Sequence, residues 1–112
     1  MKITAIKLDL DNMNISHVEI ERGKLSDIYY HIGNGCRTFA CPVTYDNHDT
    51  LYCDDEALLN PDIKWGVIQK DWRYPIFGNC LIIGNNLNTG DSISAKTKLE
   101  DAQQLFQLVS RE

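Results

Sequence analysis

Hydrophobic positions are densest at Gly78-Asn79-Cys80-Leu81-Ile82-Ile83-Gly84, an apolar run between two glycines followed by the polar pair Asn85-Asn86. The run is too short for a buried helix and does not alternate, so it predicts a strand covered on both faces. Burial of Leu81, Ile82 and Ile83 contributes about 2 kcal/mol each, a large part of a small domain's net stability. Other segments must cover it.

At the start of the chain, Ile6, Leu8 and Leu10 alternate with Lys7 and Asp9, which predicts a first strand over Lys2 to Leu10. Asp11-Asn12-Met13-Asn14 is a turn, and Ile15 to Glu21 alternates again, with Val18 and Ile20 set against His17, Glu19 and Glu21. The two strands are expected to form an antiparallel hairpin with one wet face. After Arg22-Gly23 the period becomes 3.6, because Leu25, Ile28, Tyr29 and Ile32 share one helical face. Gly33-Asn34-Gly35 ends that helix, and Tyr30 and His31 are expected on its solvated side.

Arg37 to Tyr45 reads as a third strand, with Phe39, Cys41, Val43 and Tyr45 alternating against Thr38, Ala40, Pro42 and Thr44. Pro42 places it at a sheet edge, or with its unbonded nitrogen facing out. Asp46-Asn47-His48-Asp49 turns the chain into a fourth strand, Thr50 to Cys53. That strand stops at Asp54-Asp55-Glu56, expected to be a solvated acidic turn, since no calcium-loop glycine and terminal glutamate follow at the required offsets. Leu58 and Leu59 precede Pro61, and Lys64 to Lys70 offers a fifth strand, Trp65, Val67 and Gln69 alternating around Gly66.

The stretch Asp71-Trp72-Arg73-Tyr74-Pro75-Ile76-Phe77 reads as a loop unusually rich in large aromatic side chains. It either folds back as a lid over the core or presents an aromatic binding patch in which Arg73 matches the composition of interface hot spots. Ser92 to Lys96 offers a brief sixth strand. Thr97-Lys98-Leu99-Glu100 matches a capping box, predicting a helix to about Val109 with Leu99, Ala102, Leu105, Phe106 and Val109 buried. The element order is therefore ββαββββα, an α+β fold with a mainly antiparallel sheet of five to six strands and two helices.

At 112 residues the chain is long enough for one core and too short for two, so residues 1–112 are expected to be a single domain. No run of signal-peptide or membrane-spanning length occurs, and the protein is expected to remain in the cytoplasm. A net charge of -5 disfavours phosphate backbones and anionic lipid, and points to a basic or mixed-charge protein surface as partner. The 16 acidic residues, offset by 11 basic ones, are also sparse for imitation of a DNA backbone. Self-association is compatible with the sequence.

Candidate chemistry changes this picture little. Cys36, Cys41, Cys53 and Cys80 are expected to be reduced thiols, the last three as small hydrophobes within strands. Cys36 and Cys41 with His31 and His48 are the nearest approach to a zinc set, but no C-x-x-C pair is present, so neither metal nor cofactor is expected. Cys36 with His31 is the nearest approach to a nucleophile and base, and no third group orients the histidine.

Leu25-Ser26-Asp27-Ile28-Tyr29, the stretch from Asp49 through Asp54-Asp55-Glu56 to Leu59, and Tyr74 to Gly84 together resemble a family of small, functionally unassigned proteins of bacteriophages, plasmids and other mobile elements. The likeness extends from the first strand to the last helix, and the family has no agreed catalytic residues to carry over. It implies a non-enzymatic accessory protein that binds and modulates, chiefly by inhibition, a bacterial host or defence protein. On this view Trp65, Trp72, Arg73, Tyr74 and Phe77 are the expected contact residues, with Asp54, Asp55 and Glu56 as an acidic element beside them. The alternative is a small-ligand binder in which Trp65, Trp72 and Tyr74 stack on a nucleotide-like ring.

Overall fold

The computed structural model describes residues 1–111 and shows an α+β fold of two antiparallel sheets. In chain order the elements are β1 (Lys2–Asp9), β2 (Asn14–Glu21), α1 (Leu25–Ile32), β3 (Phe39–Thr44) and β4 (Thr50–Asp54), then a 3-10 turn at Ala57–Leu59. They continue with β5 (Trp65–Gln69), β6 (Ile76–Phe77), β7 (Cys80–Asn85), β8 (Ser92–Ile93), α2 (Leu99–Leu105) and β9 (Phe106–Ser110). The larger sheet runs β2-β1-β7-β4-β3, with β8 paired to β7, and the smaller runs β6-β5-β9.

β7 is central, paired antiparallel with β1 on one side and β4 on the other, and Cys80 to Gly84 are all buried. Its alternate side chains feed two cores. Cys80 and Ile82 join Ile6, Leu8, Leu10, Leu51, Val67 and Ala102 on one face. Leu81 and Ile83 join Ile3, Ala5, Ile20, Ile28 and Ile32 on the other, beneath α1. β1 is consequently buried on both faces, and the hairpin does not have the simple wet side expected from Lys7 and Asp9. Buried Asn79 ties the start of β7 in place, accepting from the Leu10 amide at 2.8 Å and donating to the Ile32 carbonyl at 3.2 Å.

Four expectations for the chain beyond Lys64 are corrected. β5 leaves the main sheet and, with β6 and β9, builds the second sheet, which covers one face together with α2. The loop expected over Asp71 to Phe77 ends in β6, whose close approach to β5 requires Gly66: a Cβ there would stand 2.6 Å from the Ile76 carbonyl oxygen. The last helix stops at Leu105, and Phe106 to Ser110 is a strand in register with β5 from Trp65↔Ser110 to Gln69↔Phe106. Leu105 is exposed and Ala102 is the buried residue of α2, because pairing with β5 satisfies the β9 backbone where a longer helix would leave that sheet edge bare. Finally, the Thr97 hydroxyl does not cap α2. It donates at 2.7 Å to Asp49, a fully buried carboxylate that also accepts the Lys96 and Thr97 amides at 3.0 and 2.8 Å.

β3 is an edge strand, the first of the two arrangements that Pro42 allowed. Its register shifts between Ala40 and Val43, so the alternation expected along it is broken there. Phe39 packs with the α1-side core, whereas Ala40, Val43 and Tyr45 pack with the other, and Cys41 is left exposed instead of serving as a small hydrophobe.

Candidate functional site

The acidic turn is more ordered than a solvated loop. Asp54 is buried at the end of β4, and its Oδ1 accepts the Glu56 amide at 2.9 Å. The Asp55 amide donates to the Thr38 carbonyl at 2.9 Å, leaving the Asp55 side chain in solvent. Glu56 accepts from Arg37 Nη2 at 3.2 and 3.3 Å in a surface ion pair. Directly after this turn the 3-10 segment buries Ala57 and projects Leu58 and Leu59 outward, 65% and 78% exposed.

That projection is held from three sides. The Leu59 amide donates to the Glu56 carbonyl at 3.0 Å, Asn60 Nδ2 donates to the Asn34 carbonyl at 2.9 Å, and the Arg111 guanidinium donates to the carbonyls of Leu58, Asn60 and Ile63. Arg111 had no signal in the sequence. The two leucines did: an apolar pair between an acidic turn and a proline, with no periodic continuation that would bury it.

Between this turn and β6 lies an open, mainly apolar groove of about 420 Å³. Ala40 and Pro42 of the β3 edge, Leu58 and Leu59, and Pro75, Ile76 and Phe77 form its walls, and Asp54, Asp55 and Glu56 supply its charged lining. The fold thus joins two features separated in sequence, the acidic turn and the C-terminal end of the aromatic stretch.

The other expected contact residues are divided between surfaces. Trp72 is half-buried against the core, its ring edge-on to Phe106 at 5.8 Å between centroids, which is the lid arrangement for this side chain. Arg73 and Tyr74 point into solvent, Tyr74 71% exposed and the Arg73 guanidinium 5.8 Å from the centre of its ring. Phe77 is half-buried opposite Gly66, and Trp65 is exposed on β5. Trp72 lines a separate groove of about 400 Å³ with Phe106 and Leu105, whose lining includes neither Trp65 nor Tyr74.

The thiols face environments that favour the protonated form. Burial and the nearby Asp54 carboxylate push Cys36 up to about 11, and burial pushes Cys53 to about 12 and Cys80 well above the ordinary thiol range. An activated nucleophile needs the reverse shift. Cys36 Sγ contacts the Thr38 carbonyl at 3.5 Å, whereas His31 Nδ1 lies 3.5 Å from Lys7 Nζ. His31 is thus half-buried against β1 rather than solvated. Burial and the Lys7 charge both hold its pKa below the ordinary value. Among the described residues no group of three or more His, Cys, Asp or Glu side chains is placed to hold a metal ion. No helix among them is long and apolar enough to cross a membrane. Comparison of the chain with protein-family models, with curated proteins and with solved structures finds no match.

Proposed function

We propose that this chain is an accessory protein of a phage or other mobile element that binds a bacterial host or defence protein in the cytoplasm and modulates it, chiefly by inhibition. The mobile-element context rests on the resemblance in the Leu25–Tyr29, Asp49–Leu59 and Tyr74–Gly84 stretches. The binding role is supported above all by Leu58 and Leu59, two large apolar side chains held outward on a hydrogen-bonded turn beside an open groove. Keeping them in water forgoes burial worth about 2 kcal/mol each, and a partner surface would recover it. A turn ordered in advance also loses little conformational entropy on association.

The test is affinity capture with a tagged chain from bacterial cells, followed by reconstitution with the captured protein and assay of that protein's activity. One specific host or defence protein, inhibited at stoichiometric ratio, is the expected result. A clean bait from defence-positive cells, or a captured protein whose activity is unchanged, counts against the reading.

Binding of a small nucleotide-like ligand is the second reading, favoured by the open groove that Trp72 and Phe106 line. A nucleotide panel in a thermal-shift assay separates the two, since a ligand bound to the folded state raises the melting temperature with concentration. Of the three rings expected to stack, Trp72 alone lines that groove, where Phe106 stands beside it.

A further inference from the structure

We infer that the groove between the Asp54–Leu59 turn and β6 receives a cationic amphipathic helix of a protein partner, its apolar side chains entering the groove and its Lys or Arg side chains meeting Asp55 and Glu56. The inference rests on the protein-binding reading and adds the chemistry of the occupant.

Charge selects the sign of that occupant. Among the described residues the charged lining is Asp54, Asp55 and Glu56, and none of the groove walls is basic. Asp54 already accepts the Glu56 amide and is buried, so Asp55 and Glu56 are the carboxylates that face a partner. Arg37, which pairs with Glu56, has a side chain 80% exposed. Such surface pairs contribute little, so an incoming guanidinium can displace Arg37 at small cost. A second copy of the chain, with net charge -5, or a nucleic acid would bring like charge to this rim.

Backbone chemistry selects the form. The β3 edge beside the groove carries Pro42 and a register shift between Ala40 and Val43, so an added strand would find its ladder interrupted. β6 offers only Ile76 and Phe77. A helix satisfies its own backbone and needs only side-chain contacts, and an apolar groove is the complement of its apolar face.

The experiment titrates the isotope-labelled full chain with two helix-forming peptides of about 14 residues that share a Leu/Phe stripe, one flanked by Lys and Arg and the other by Glu. The expected result is that the cationic peptide shifts the amide signals of Asp55 to Leu59 and of Ile76 and Phe77. The Glu peptide leaves them in place. Asp55→Lys, and separately Leu58→Ser with Leu59→Ser, weaken the cationic peptide by about tenfold or more while the remaining spectrum stays folded. Equal response to both peptides, shifts confined to another surface, or no response to the cationic peptide at about 1 mM overturns the inference.

Affinity capture with the same variants separates this inference from the reading beneath it. A specific partner held equally by the wild type and both variants overturns the groove assignment and leaves the accessory-protein reading standing. Selective peptide binding at the groove with no cellular partner captured supports the groove chemistry and removes the accessory-protein reading.

Discussion

The Arg111 guanidinium donates to the backbone carbonyl of Leu58, 53 positions earlier, and so joins the end of β9 to the turn that projects Leu58 and Leu59. It donates as well to Asn60 and, at 3.0 Å, to Ile63, while its amide donates to the Lys64 carbonyl at 2.9 Å. One side chain therefore binds three points of the connection between the 3-10 turn and β5, beside the bonds made there by Asn60 and the turn's own amides.

Arg111→Ala is expected to destabilise the protein by about 2 kcal/mol, since charge-assisted hydrogen bonds to three carbonyls are lost together. Hydrogen exchange should accelerate first at Leu59 to Ile63. Arg111→Lys should recover little, because an ammonium cannot reproduce the planar fork. Urea denaturation and amide exchange on the two variants check this, and full recovery by lysine would refute it.

Trp72 and Tyr74 should behave oppositely although they are two residues apart. Trp72→Ala removes a half-buried ring packed on Phe106 and is expected to cost about 3 kcal/mol of stability. Tyr74→Ala removes an exposed ring and should change stability by less than about 0.5 kcal/mol. Denaturation midpoints of both variants decide it, and binding of a captured partner should be measured on the folded fraction of each.

Asp49→Asn is expected to cost about 3 kcal/mol. The buried carboxylate accepts from the Lys96 and Thr97 amides and from the Thr97 hydroxyl, and an amide turns one acceptor into a donor facing donors. Thr97→Val removes only the hydroxyl and should cost less, about 1 kcal/mol. A double-mutant cycle by calorimetry should show the two losses to be non-additive.

His31 supplies a pH signature. Burial, and after it the Lys7 charge, lower its pKa from the ordinary 6.5, against smaller opposing effects of Asp27, Asp9 and the Glu19 backbone. The unfolded chain therefore takes up this proton first as pH falls. The histidine's contribution is complete above pH 6.5 and is lost as pH falls through the lower, folded-state value. Asp27 is also lowered, chiefly by the hydrogen bond from the Glu21 amide, but its contribution is lost only as pH falls below its ordinary 3.8. Urea midpoints measured from about pH 7.5 to about pH 5 should therefore decline less in His31→Gln than in the wild type. Identical slopes would show that His31 does not titrate differently in the two states.

Local pattern alone determined the pieces whose physics is local. The apolar run at Leu81 to Ile83 could only be a strand covered on both faces, the 3.6 period at Leu25 to Ile32 is a helix, and Pro42 belongs at an edge. Tertiary structure decided the rest, because each remaining choice turned on a partner distant in sequence. Phe106 to Val109 suits a helix face as well as a strand until β5 offers it hydrogen bonds, and Thr97 suits a cap until the buried Asp49 claims its hydroxyl. The bulge at Ala40 to Val43 reverses which side chains face which core, an outcome that simple alternation does not encode. The aromatic stretch and the acidic turn are each visible in the sequence. That Trp72 turns inward, and that Phe77 and Leu58 wall one groove with Asp55 at its rim, follows only from the packing of the small sheet beside the large one.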